Sequence, residues 1–263
     1  MNEVCNLEDY DILGLGWDVG GWMGNNHGFA LAGAIKGTGT IKWPGEPVEL
    51  GIPKGSSFNL KEIIGKITGR KDVSIGPDQL IIGVDAPLGF PQGFKNFIVD
   101  GDQSFDRPKK EIYNELAYRK TERFIYDKLG KKPLSAPFDR IGTNATVAIS
   151  HARRWSRRYG FSREPSSEEG VKGGIIEVYP GLLKPDKGSA AYQPFNKLLS
   201  GEFETGTHYY DAALCSIMAL AHRIANDIPH LPPLVGPPEL TNRILEEGWV
   251  YHFSDDSIAS EAD

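Results

Sequence analysis

The stretch that decides the fold is Asp11–Asp18, DILGLGWD, followed by Val19, Gly20 and Gly21. A short apolar run that ends on an acid and breaks at a Gly-Gly pair reads as a buried strand, beginning near Tyr10, that delivers a carboxylate to its tip. Gln79–Asp85, QLIIGVD, repeats the pattern and stops at Ala86-Pro87. Its continuous apolar character fits a strand covered on both faces. Two further acids read as presented by regular structure. Glu177 interrupts the apolar GIIEVYP, sharing a strand face with Ile175 and Tyr179. Asp211 lies in HYYDAALC, the start of a helix, three residues after His208 and hence on the same helix face.

A buried carboxylate is costly unless it is paired or holds a metal. Four acids at strand and helix ends, Asp18, Asp85, Glu177 and Asp211, therefore suggest an oxygen-ligand site for Mg²⁺ or Mn²⁺. Gly20 and Gly21 would let a ligand approach the backbone. The competing readings are ordinary ones: a turn aspartate at 18, a cap at 85, a first-turn helix acid at 211 and a structural histidine at 208.

Working outward, Phe29–Ile35 reads as a second strand, with shorter edge strands at Gly39–Trp43 and Pro47–Ile52. Asn59–Thr68 has helical spacing, with Ile63, Ile64 and Ile67 on one face. The middle of the chain reads as helical, over Lys110–Leu129 and Asn144–Tyr159. Residues 161–174 read as a polar loop, Ile175–Val178 as a strand and Pro180–Gly206 as irregular, with a short helix near Phe195–Leu199. Tyr209–Ala225 is a strong helix, Trp249–Phe253 a final strand, and Ser254–Asp263 an acidic tail. Early strands followed by alternating helices and strands predict one α/β domain with a mixed sheet flanked by helices.

Charge is unevenly placed. The chain is −6 overall, yet residues 107–163 hold 15 Lys/Arg against 5 Asp/Glu, about +10, leaving about −16 elsewhere. A basic helical insertion beside an acidic metal site is what a nucleic-acid partner would require. A solvated helical face is the plainer alternative. Arg119 and Arg123, four apart, and Arg153 and Arg157, also four apart, are the candidate phosphate binders. For the first pair, ion pairing with Glu115 or Glu122 is the alternative. Trp17, Trp22 and Trp249 read as core or rim residues.

At 263 residues the chain can bury a full core without staples. No apolar run approaches the roughly 20 residues that span a membrane. The polar start, MNEVCNLEDY, is unlike a secretory signal. Cys5 and Cys215 fit no disulfide or zinc spacing. A cytoplasmic protein with reduced thiols is expected.

Taken together, GWDVGGW (16–22), VDAPLGFP (84–91), AYRKTER (117–123), EVYPG (177–181), YDAALCSIMA (210–219) and EGWVYHF (247–253) resemble domain-of-unknown-function family 429. The resemblance runs from about Leu13 to Phe253. It departs from the family at Val19, between the acid and the glycines, and at Thr121-Glu122 in the basic stretch. The family is one of predicted nucleases with an RNase H-like fold. HYYDAAL is also similar to the His-x-x-Asp helix of Holliday junction resolvases. In RNase H-like enzymes the first acid lies on the first strand, a second near the fourth strand and the last on a late helix, which Asp18, Asp85 and Asp211 match. The resemblance implies hydrolysis of phosphodiesters by a two-metal mechanism, with Asp18 bridging the ions and His208 moving a proton or orienting phosphate. Two other functions compete: a nucleotide phosphate-binding ATPase or kinase-like protein, and a non-catalytic nucleic-acid-binding module.

Overall fold

A computed structural model describes residues 7–35, 38–101, 104–167, 173–183, 198–199, 203–229 and 231–253. Cys5 and the acidic tail lie outside these residues. So does most of the helix expected near Phe195–Leu199, of which only Leu198 and Leu199 are described.

The strands are β1 (Ile12–Asp18), β2 (His27–Ile35), β3 (Thr40–Lys42), β4 (Val48–Leu50), β5 (Leu80–Asp85), β6 (Ser162–Arg163), β7 (Gly174–Val178), β8 (Leu234–Val235) and β9 (Val250–Phe253). They form one mixed nine-stranded sheet in the order β3-β2-β1-β5-β7-β9-β8, with β4 on β2 and β6 on β7. β1, β5, β7 and β9 run parallel, while β2 and β8 are antiparallel to their neighbours. The expected α/β class with a mixed, helix-flanked sheet is what the chain adopts.

Alternation in β1 explains how the layers assemble. Leu13, Leu15 and Trp17 point to one face, where they pack with α1 (Leu60–Thr68) and α4 (Gly142–Tyr159) through Ile63, Ile64, Val147 and Trp155. Gly14 and Gly16 point to the other face, which is covered by α5 (His208–Ile224). There the helix lies against bare backbone. A Cβ on Gly16 would sit 1.8 Å from the Ala212 carbonyl oxygen, and one on Gly28 2.3 Å from that of His208. Ser216, fully buried, completes the contact: Gly16 N–H donates to its Oγ at 3.1 Å, and Oγ lies 2.8 Å from the carbonyl oxygens of both Gly14 and Ala30.

Two helices frame one end of the sheet. α2 (Gln92–Asp100) follows Pro91, and α3 (Lys120–Leu129) ends on the left-handed Gly130. A last short helix, α6 (Asn242–Glu247), is capped by Thr241. Three expectations are corrected. The single helix over Lys110–Leu129 is a 3-10 turn at Glu111–Tyr113, an irregular link and then α3. Asn114 Oδ1 accepts the Leu116 N–H at 3.0 Å, a side-chain turn that competes with helix propagation. The polar loop at 161–174 contributes β6, which pairs with β7. Within Pro180–Gly206, Pro180–Leu182 form a 3-10 turn. No helix among the described residues is long and apolar enough to cross a membrane.

Candidate functional site

Asp18 and Asp85 are the last residues of the parallel pair β1 and β5 and stand opposite one another in register. Strand alternation gives both the parity of Gly16 and Gly83, the α5 face. Both line a cavity of about 210 Å³ at the carboxyl ends of the strands, with Val19, Pro87, Leu134 and Asn144 in its wall. The crevice outside the carboxyl ends of strands is where open α/β sheets put their ligands.

The first turn of α5 reaches Asp18. His208 Nδ1 lies 2.5 Å from Asp18 Oδ2, and Asn26 Nδ2 lies 3.2 Å from His208 Nε2. An Asn26 amide that donates to Nε2 puts the ring proton on Nδ1, so His208 donates to Asp18. Asp211 is half-buried one turn further on; it is not part of the cavity lining, and the N-cap is Thr207.

His27 pins the loop after Asp18. Its Nδ1 accepts two N–H groups, from Trp17 Nε1 at 3.2 Å and Gly20 N at 3.1 Å. Nε2 therefore carries the proton and donates to the Gly21 carbonyl, 3.2 Å away. Burial pushes the imidazole down to about 4, against the pull of that carbonyl. Asn144 of α4 adds a bond to the Val19 carbonyl. Gly20 is small for a local reason: a Cβ there would meet Asn26 Oδ1 at 2.7 Å. The missing side chain makes room for Asn26, where the sequence suggested room for a ligand.

Glu177 has different company. It pairs in register with Val84, whose side chain faces the α1/α4 layer, so it enters the same cavity as Asp18 and Asp85 from the opposite face of the sheet, together with Arg119 and Glu122. Its carboxylate, 3% exposed, accepts Arg119 Nη1 at 2.7 Å, Arg119 Nη2 at 2.5 Å and the Leu88 N–H at 2.8 Å. Arg119 is equally buried. Nε bonds Glu122 at 2.8 Å, Nη2 also bonds Glu122, and Nη1 also reaches the Glu247 carbonyl at 3.1 Å. All five of its N–H donors are thus on protein acceptors. Burial pulls the guanidinium pKa down, but Glu122 and Glu177 outweigh it and the net direction is up. Burial likewise raises the pKa of Glu122. Arg119 is therefore corrected from a phosphate binder to the centre of a buried ion network, and Arg123 pairs with Glu115 at 3.3 Å. The ion-pairing alternative describes both.

Glu247, fully buried, carried no signal in the sequence analysis. Its carboxylate accepts the N–H groups of Gln92 and Lys120, each at 2.8 Å, and Arg243 Nε at 2.9 Å. It thereby ties the starts of α2 and α3 to α6. His27 and Asn26 were also missed; their one visible cue is a polar pair opening a strand between glycines.

The four acids expected to converge do so only in part. Asp18, Asp85 and Glu177 line one cavity, with Glu177 held by Arg119; His208 reaches only Asp18, and Asp211 lies outside the cavity on α5. Among the described residues no three His, Cys, Asp or Glu side chains form a metal-sized cluster. Of the basic residues, Arg153, Arg154 and Arg157 are exposed along α4, in a second cavity. Trp17 and Trp249 are core residues and Trp22 is at the rim, 42% exposed. Cys215 is buried. Comparison with protein-family models, with curated proteins and with solved structures finds no match.

Proposed function

We propose that this protein is a nuclease, a metal-dependent phosphodiester hydrolase of RNase H-like type, as its resemblance to domain-of-unknown-function family 429 implies. The observation that carries the proposal is the in-register pair Asp18 and Asp85, with His208 hydrogen-bonded to the first of them. Acids at the ends of β1 and β5 and on α5 support the RNase H-like reading, because such enzymes distribute their acids in this way.

Asp18 and Asp85 are hard oxygen donors on one face of one cavity, which suits Mg²⁺ or Mn²⁺. They are the residues that would hold the ion. Glu177 does not fit as a ligand, since its oxygens already serve Arg119 and Leu88. The chemistry such an ion supplies is polarisation of the phosphoryl group and acidification of water. The protein's own contribution is orientation. His208 holds the Asp18 carboxylate in one rotamer, Asn26 fixes the imidazole, and His27 fixes the backbone turn that follows. The basic side chains of α4 would steer the polyanion towards this end of the sheet.

The test is cleavage of a panel of DNA and RNA substrates with Mg²⁺ or Mn²⁺, using Asp18→Asn and Asp85→Asn as controls. Cleavage that needs the metal and disappears in both variants is the expected result. Activity retained in Asp18→Asn would sink the assignment. Binding without cleavage on every substrate would leave the non-catalytic nucleic-acid module in its place.

A further inference from the structure

Next to the carboxylate cavity lies a larger one of about 720 Å³. The two abut along the same elements. Ala86, Pro87 and Asn144 belong to the first, and Leu88, Phe90, Thr146 and Ile149 to the second. The second carries five basic side chains against one carboxylate. Lys95 is spent on that carboxylate, Glu246, at 3.2 Å, and Arg163 donates to the Leu88 carbonyl at 2.9 Å. Arg153, Arg154 and Arg157 remain, exposed on α4, and no carboxylate pairs with them among the described residues.

A row of phenyl rings borders these arginines. Phe90, in the wall of the basic cavity, lies 6.1 Å from Phe94, which meets Phe138 edge-on at 5.6 Å. Phe138 is 58% exposed and Leu134, in the wall of the carboxylate cavity, 49%. Phe90 and Phe94 are half-buried, so the row of rings runs from the wall of the arginine-lined cavity out to the exposed Phe138, and an exposed phenyl at the end of such a row is unlike a solvated charged face.

We infer that this surface takes a single-stranded polynucleotide, its phosphates along Arg153, Arg154 and Arg157 and its unpaired bases on the Phe90–Phe94–Phe138 ridge. Guanidinium groups supply sequence-independent affinity for the backbone. Phenyl faces add stacking, which only an unpaired base offers, because a duplex keeps its base faces inside the stack. A strand on this track leads to Asp18 and Asp85. The inference names the substrate of the proposed nuclease and rests on that reading for its biological sense, but strand binding itself needs neither metal nor hydrolysis.

The experiment is fluorescence anisotropy in EDTA with a labelled single-stranded DNA, the RNA of the same sequence and the matching DNA duplex, repeated at several salt concentrations. One single strand, DNA or RNA, should bind at least about tenfold tighter than the duplex, and the tighter of the two names the natural substrate. Arg153→Ala with Arg157→Ala should flatten the slope of log affinity against log salt by about 1.4, at 0.7 per lost contact. Phe138→Ala should weaken binding about fivefold or more and leave the slope unchanged. Equal or tighter duplex binding, absence of binding, or insensitivity to the arginine and Phe138 changes would each overturn the inference. Loss of cleavage on every substrate with these binding effects intact would remove the nuclease reading alone. Cleavage with binding indifferent to these residues would remove the track alone.

Discussion

His208 Nδ1 lies 2.5 Å from Asp18 Oδ2, a bond between the first turn of a helix and the last residue of a strand 190 positions earlier in the chain. The imidazole is 43% exposed by its side chain, so its removal threatens orientation more than folding. His208→Ala should lower kcat for metal-dependent cleavage by about 10²-fold with little change in KM. Stability should stay within about 0.5 kcal/mol. An unchanged kcat would show that Asp18 needs no such partner.

Gly16→Ala should be among the most damaging small substitutions in the chain. The added methyl would lie 1.8 Å from the Ala212 carbonyl oxygen, so β1 and α5 must part. A loss of more than about 3 kcal/mol, read from urea unfolding, is expected. Ser216→Ala removes the hydroxyl that serves Gly14, Gly16 and Ala30, and should cost about 1–3 kcal/mol.

Arg119→Met should cost about 3–5 kcal/mol, since it leaves Glu122 and Glu177 buried without their cation. Arg119→Lys should recover only part of this, because an ammonium cannot span both carboxylates as the guanidinium fork does. If Arg119→Met were neutral in urea unfolding, the network would contribute nothing to stability.

Stability should fall with acid in a defined window. His27 titrates at about 4 in the folded chain, against 6.5 for a free imidazole, and His222 is pushed down to about 4 as well, in both cases by burial. On acidification the unfolded chain takes up protons first. The stability held by His27 is therefore complete above about pH 6.5 and is lost as pH falls through that range to 4. For His27 alone the loss is about 3 kcal/mol. Unfolding free energy measured between pH 7 and 4 should show this slope, and His27→Gln should reduce it by up to about 1.4 kcal/mol per pH unit. A slope unchanged in that variant would place the titration elsewhere.

Much of this fold is legible in the sequence because its strands and longer helices follow simple periods. β1, β5 and α4 start and stop within about two residues of where patterning puts them. The alternation of Leu13, Leu15 and Trp17 with Gly14 and Gly16 also dictates where α5 docks. α2 escaped notice because Phe97, Ile98 and Val99 are exposed and blur its amphipathic stripe. Residues 110–119 read as helical by apolar spacing, but Arg119 adopts an extended conformation to turn inward to Glu177. That demand is tertiary and leaves no local trace. The same is true of the site. Asp18 and Asp85 are visible as strand-end acids, whereas the turn of Glu177 to the opposite face depends on which residue of β5 it pairs with, Val84 rather than Asp85.

The bare glycine floor beneath α5 has a consequence for how this protein can change over time. A helix resting on side chains can slide as those side chains are exchanged, and any group it carries drifts with it. Here the Ala212 and His208 carbonyls press on Gly16 and Gly28, so the spacing between helix and strands is set by main-chain dimensions alone. The distance from His208 to Asp18 is thereby insulated from exchanges among the side chains that pack around the rest of the buried helix.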